Sequence, residues 1–243
     1  MSYPGGKEGA GIWQRIVNLM PPHRVYVELF AGGGAVLRHK EAAYDSIALD
    51  LDPDALATLE ERYRTDRPDD ADRVLFLEQD ALDWLRKALS PTDAVNAPWL
   101  TDSVLIYADP PYPLSVRRTD RVRYHRELSD EDHVELLELL SQTAARVMLS
   151  GYRCALYDAW LTTWRRIDYQ AMTRGGTVPE SLWLNFDPPA TLHGYDRVGS
   201  DYRERERIKR KRQRWLANFS RLPDHEREAI FSDLSNYQAG RQS

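Results

Sequence analysis

The chain has 243 residues, 42% hydrophobic and 29% charged, with a formal net charge of −5. That length suits one large domain or one domain with a helical appendage, and the composition excludes a disordered chain. No apolar stretch approaches the ~20 residues that a bilayer span needs, and neither a membrane nor a metal partner is expected. The first ten residues, MSYPGGKEGA, lack a charged-then-apolar leader pattern, and the one cysteine, Cys154, cannot form an internal disulfide. A reducing cytoplasm is the expected setting.

The charge is unevenly spread. Residues 201–243 hold 11 Lys+Arg against 7 Asp+Glu, while the remainder holds 22 against 31. For a polyanionic partner the local balance matters more than the total.

In chain order, short apolar runs alternate with helix-like stretches. Strands are predicted at Arg24–Phe30, Ser46–Asp50, Val74–Asp80, Ser103–Asp109 and Arg146–Tyr152. Helices are predicted at Gly34–Tyr44, Pro53–Arg64, Ala81–Leu89 and Asp130–Ala145, the last opened by a Ser129/Asp132 capping box. The alternation predicts a parallel sheet covered by helices on both faces. Thr163–Ala171 and Glu180–Phe186 read as a later, antiparallel edge pair. Asp187-Pro188-Pro189 reads as a break, dividing residues 1–190 from a C-terminal extension, 191–243. In that extension Arg203–Leu216 and Pro223–Tyr237 read as helices.

Three strand ends carry candidate chemistry. Phe30-Ala31-Gly32-Gly33-Gly34 follows a strand and opens a helix, where glycines let backbone approach a ligand closely. An ordinary strand–helix turn reads the same way. Asp50 ends the next strand about 20 residues on, the place of an acid that accepts hydrogen bonds from ribose hydroxyls. Asp80 ends the third strand and suits either an adenine edge or a helix cap.

The fourth strand ends Ala108-Asp109-Pro110-Pro111-Tyr112. This pattern answers a specific chemical problem. The exocyclic amine of an adenine is a poor nucleophile because its lone pair is delocalised into the ring. Two acceptors aimed at its hydrogens, the Asp109 carboxylate and a carbonyl near Pro110, localise that pair. The prolines fix the carbonyl direction, and Asp109 also stabilises positive charge developing on nitrogen. Tyr112 offers a flat face for a base turned out of the duplex.

With these motifs the chain resembles the Dam-like adenine-specific DNA methyltransferases, short phage-type members included. The resemblance covers most of residues 1–190. It implies a Rossmann-like, S-adenosylmethionine-dependent α/β fold with a mostly parallel sheet, an antiparallel edge strand and added C-terminal helices. It also implies S-adenosylmethionine as methyl donor and double-stranded DNA as substrate. Tyr3 and Lys7 of Tyr3-Pro4-Gly5-Gly6-Lys7 resemble a cofactor-lining motif, with Lys7 also near the target base. Glu28, Phe30, Gly32 and Gly34 resemble the methionine-side loop, Asp50 the ribose acid, and Asp109 through Tyr112 the catalytic tetrad, with Asp109 touching the cofactor too. Asp80 resembles the family pattern only by its strand-end position.

One departure concerns DNA recognition. Only 58 residues separate Asp50 from Asp109, too few for a separate target-recognition domain. Two basic segments are candidates instead. Pro113–Glu127 contains Arg117, Arg118, Arg121, Arg123 and Tyr124; Arg203–Arg214 contains Lys209, Arg210, Lys211 and Arg212. Both suit phosphate contact, though each also reads as a solvated surface. Glu180 and Asn185 are assigned mainly to packing, with approach to the site left open. The scattered histidines have no metal-ligand spacing. A monomer or weak dimer is expected. The competing readings are methylation of a cytosine amine, an RNA substrate, or a silent module that binds cofactor and nucleic acid.

Overall fold

The computed structural model describes residues 7–9, 11–90, 101–113, 127–173 and 176–239. It divides into two compact units, Met1–Tyr195 and Asp196–Ser243. No helix among the described residues is long and apolar enough to cross a membrane.

The first unit is a seven-stranded sheet of order β3-β2-β1-β4-β5-β7-β6. The strands are β1 Val25–Leu29, β2 Asp45–Asp50, β3 Val74–Glu78, β4 Val104–Ala108, β5 Arg146–Gly151, β6 Arg165–Thr173 and β7 Gly176–Leu184. The first five are parallel; β7 runs antiparallel to both β5 and β6. The antiparallel strand is therefore one place in from the edge, which β6 forms. Residues 104–108, Val-Leu-Ile-Tyr-Ala, are buried throughout, as a central parallel strand covered on both faces requires.

Helices cover both faces. α1 Ile12–Val17, α2 Ala35–His39 and α3 Pro53–Asp66 pack on the face that carries Tyr26, Ala48, Leu105 and Met148. α4 Ala81–Leu89, α5 Asp130–Gln142 and α6 Ala155–Trp160 pack on Val27, Leu49, Ile106 and Leu149. Alternate strand residues thus serve opposite cores.

The helix starts follow local chemistry. Asp52 caps α3, accepting from the amides of Asp54 and Ala55, with Pro53 in the first turn. Ser129 and Asp132 form the reciprocal capping box of α5.

Four details differ from expectation. The helix predicted over 34–44 stops at His39, because Lys40 turns to extended backbone. Its ammonium is buried, donating to the Glu41 carbonyl and lying 4.4 Å from the Tyr26 ring centroid. β7 begins at Gly176 rather than Glu180. α1 and α6 are six residues each, too short for helical periodicity to reveal. Asn185 lies just past β7 and clamps the start of β5: its Oδ1 accepts from the Val147 amide (2.7 Å) and its Nδ2 donates to the Ala145 carbonyl (3.0 Å).

The second unit holds α7 Tyr202–Phe219 and α8 Asp224–Ala239. Asp201 caps α7 through the Glu204 amide. Trp215 is 66% exposed, so α7 is not packed through that ring.

Replacing Ser129 with Ala removes one side of the α5 capping box. A loss of about 1 kcal/mol in urea unfolding is expected; unchanged stability would mean that the box does not hold the helix.

Candidate active site

In the sheet order, β1 and β4 are the neighbours at which the chain reverses direction of travel, and ligands of open α/β sheets bind outside strand C-termini at such a switch point. The candidate residues gather there. β1 ends in the glycine loop, β2 in Asp50, β4 in Asp109.

The loop is held in unusual backbone. Phe30 (φ 61°), Gly32 (φ 50°) and Gly34 (φ 57°) all lie in the left-handed region. Glycine accepts this readily; Phe30 does not, and a strained non-glycine residue of this kind persists only where its surroundings hold it. A Cβ on Gly34 would also lie 2.2 Å from Leu59 Cδ1, so α3 packs against the bare loop.

Asp50 is part of what holds it. Its Oδ2 accepts from the Gly32 amide at 2.6 Å and its Oδ1 from the Asp52 amide at 2.9 Å. Burial raises the Asp50 carboxyl above its ordinary value, and these amides oppose the rise. An ionised carboxylate has about four lone-pair sites, so capacity remains for a ribose diol. Asp80 caps α4, accepting from the amides of Leu82 and Asp83. Glu28 is buried and accepts from Tyr26 Oη at 2.8 Å. Burial pushes its carboxyl up to about 8.

At the end of β4 lies a buried polar network. Lys7 Nζ is 2.8 Å from Asp109 Oδ1 and 3.6 Å from Glu180 Oε2, and it donates to Tyr112 Oη at 3.1 Å. Ser150 Oγ donates to the same Asp109 Oδ1 at 2.7 Å and lies 3.0 Å from Tyr107 Oη. Tyr112 Oη donates to Glu180 Oε1 at 2.9 Å, and Tyr169 Oη to Glu180 Oε2 at 3.0 Å. The Tyr112 and Tyr152 rings stack with centroids 4.0 Å apart.

The electrostatics follow from burial and pairing. Burial opposes the Lys7 charge, but the charges of Asp109, Tyr112, Tyr107 and Glu180 together outweigh it, holding Lys7 well above its usual range. Burial raises the Asp109 carboxyl; Lys7 and Ser150 pull it back only in part. Lys7 and Ser150 both bind Asp109 Oδ1, and the Asp109 side chain keeps 18% exposure. Among the described residues, no hydrogen bond or ion pair meets Oδ2.

The structure brings Lys7, Asp109 and Tyr112, all named from the sequence, into contact. Sequence reasoning missed Ser150, Tyr107, Tyr152 and Tyr169, and it assigned Glu180 to packing. The β4–β5 register, in which Ala108 pairs with Leu149, sets Ser150 beside Asp109. Tyr3, Arg117, Arg118, Arg121, Arg123 and Tyr124 lie outside the described residues. Lys209, Arg210, Lys211 and Arg212 are exposed on α7, where Arg212 donates to Asp196 at 3.1 Å.

Residues 3–83 match the family model of the D12 class N6 adenine-specific DNA methyltransferases. Over these residues the chain is similar to that family. The matched third contains Lys7, the glycine loop, Asp50 and Asp80, the half of the site expected to hold the donor. The activity of that class is S-adenosylmethionine-dependent methylation of the adenine amino group in DNA. A search of the curated proteins returned no match.

Among solved structures, SMU.776 complexed with SAH aligns with a TM-score of 0.50 at 13% identity, over 71% of this chain and 47% of that one. The SAM-dependent methyltransferase from Agrobacterium tumefaciens gives 0.47 at 13% identity, over 72% and 60%. A conserved hypothetical protein from Streptococcus pyogenes gives 0.47 at 13%, over 74% and 98%. At such identity the likeness is one of fold.

Asp50→Ala removes the acceptor that both tethers the glycine loop and remains able to meet a diol. Calorimetry should show donor affinity falling about tenfold or more, against a smaller change in DNA affinity. Unaltered donor affinity would contradict this assignment.

Proposed function

We propose that this chain is an adenine-specific DNA methyltransferase that carries out transfer at Asp109–Tyr112, with the donor held by the glycine loop and Asp50. The observation that carries this reading is the placement of Asp109: a carboxylate at the switch point, Oδ1 fixed by Lys7 and Ser150 and Oδ2 with no partner among the described residues. The left-handed glycine loop and the Asp50 acceptor fit an adenosine-bearing donor, and Asp80 sits one strand further along. Tyr3, Lys7, Glu28 and Phe30 complete the donor side of this reading. Bound there, S-adenosylmethionine supplies a methyl group already activated by its sulfonium charge.

The chain's own residues then have defined tasks. Lys7 and Ser150 fix the Asp109 rotamer through Oδ1. Oδ2 accepts one hydrogen of the target amine, and the Pro110 carbonyl, aimed by the Pro110–Pro111 backbone, accepts the other. Together they localise the nitrogen lone pair. As nitrogen becomes positive, the Asp109 charge, in a site largely shielded from water, stabilises it. Tyr112 and Tyr152 form a stack that a base turned out of the helix extends.

The substrate in this reading is double-stranded DNA. Residues 1–190 form the catalytic module and 191–243 a basic extension. Arg117, Arg118, Arg121, Arg123 and Tyr124, following the catalytic turn, meet the phosphates or the gap left by the flipped base. α7, with eight Lys or Arg among residues 203–214, tracks phosphates. The 58 residues between Asp50 and Asp109 already include α3, β3 and α4, which supports recognition through these basic segments.

Four measurements test the reading. Nucleoside mass spectrometry after incubation with DNA, RNA and labelled donor should place label on N6-methyladenine in DNA; methylcytosine, label in RNA only, or no label would reject it. Asp109→Asn keeps the shape, avoids leaving Lys7 against an empty cavity, and removes the charge. It should reduce transfer by about a hundredfold or more, and its activity should be compared over a pH series. Because the Asp109 carboxyl is raised, wild-type kcat/KM should fall on the acid side with a midpoint above the ordinary aspartate value of about 3.9. A midpoint at or below that value would contradict the burial of this group. Finally, neutralising Lys209, Arg210, Lys211 and Arg212 should reduce the slope of log affinity for DNA against log salt; an unaltered slope would remove α7 from the interface.

A further inference from the structure

The network around Asp109 includes a second carboxylate for which the transfer chemistry above has no use. Glu180 sits on β7, the antiparallel strand, and is 5% exposed. A buried carboxylate is costly unless its oxygens are satisfied. Here they are satisfied entirely by donors: Tyr112 Oη at 2.9 Å, Tyr169 Oη at 3.0 Å and the Lys7 ammonium at 3.6 Å. Three donors converging on one group call for an acceptor with no hydrogen of its own. A glutamine of the same shape would present an amide N–H₂ to one of them.

The ammonium of Lys7 lies between the two carboxylates, 2.8 Å from Asp109 Oδ1 and 3.6 Å from Glu180 Oε2. One cation therefore faces two acidic side chains. With Asp109 as its only counter-charge, Lys7 would be drawn wholly to the carboxylate that must accept the target amine. With Glu180 beside it, Lys7 has a second anchor, and the cluster keeps an excess of negative charge where positive charge develops on nitrogen. Glu180 also fixes the hydroxyl of Tyr112, and so the tilt of the ring on which the base is stacked.

We propose that Glu180 is a positioning residue for methyl transfer, acting through Lys7 and Tyr112 by sharing the lysine charge with Asp109 and anchoring the tyrosine hydroxyl. This rests on the reading of Asp109 as the acceptor of the target amine. It assigns a role in catalysis to the sheet's late antiparallel strand, far in sequence from the tetrad it serves.

The test compares wild type, Glu180→Gln and Glu180→Asp with unmethylated genomic DNA and labelled S-adenosylmethionine, measuring kcat, KM and the pH dependence of kcat/KM. Donor affinity is measured by calorimetry and stability by thermal melting. Asp109 faces Lys7, Ser150, Tyr107, Tyr112 and Glu180; burial and the Glu180 charge raise its carboxyl, and Lys7 and Ser150 lower it. Removing the Glu180 charge should therefore move the acid limb to lower pH. The expected result for Glu180→Gln is a fall in kcat of about tenfold or more, donor affinity within about twofold of wild type, and that downward shift. Glu180→Asp, which keeps the charge, should leave the limb in place and recover part of the rate. A Glu180→Gln variant as active as wild type would overturn the proposal. So would a loss of rate with an unmoved limb and matching losses of stability and donor affinity, since Glu180 would then act only in the fold. If the wild-type chain itself transferred no methyl to DNA, the reading of Asp109 would fail and this inference with it; an active wild type with an indifferent Glu180 would sink the inference alone.

Discussion

The site depends on one buried ion pair, Lys7 to Asp109, at the open end of the central strand. Each partner would be unstable alone in that place: an unpaired charge buried at the end of β4 would cost several kcal/mol. Paired, and with Ser150 on the same oxygen, they turn a flexible carboxylate into a directed one. The pairing also joins the segment around residue 7 to a strand end more than 100 residues later. In the proposed reading, that contact ties the donor side of the site to the acceptor side.

Strand order does the rest of the positioning. Because β1 and β4 are neighbours while their helices leave to opposite faces, a crevice opens between the glycine loop and Asp109. The loop is shaped by left-handed backbone at Phe30, Gly32 and Gly34 and pinned by Asp50. Asp50 thus has a structural task in addition to any role toward a ribose: it ties the end of β2 to the turn after β1. The clamp made by Asn185 similarly locks β7 to β5, and β7 carries Glu180 to the network.

What was legible in the sequence was mostly local. The glycine loop, Asp50 and the Asp-Pro-Pro-Tyr turn announce themselves because turn and strand-end chemistry depends on adjacent residues. The parallel strands were legible as short apolar runs, most plainly the continuously buried residues 104–108. Ser150, Tyr107 and Tyr169 were not, because their roles depend on register between strands, and nothing near them in sequence records which residue lies opposite. Glu180 was visible as an acid in an otherwise apolar strand, yet packing was the simpler reading until its three donors were placed around it. The early end of α2 was hidden for a related reason: a lysine seems to continue a helix until its burial against Tyr26 is known.

The account stands or falls on where the methyl donor lies relative to Asp109. A crystal structure with a non-reactive donor analogue measures this directly. The account predicts the analogue across the ends of β1 and β2, its ribose at Asp50 and its methyl-equivalent position facing the space beside Asp109 Oδ2. An analogue seated elsewhere on the chain, or one whose transferable end points away from that carboxylate, would contradict it.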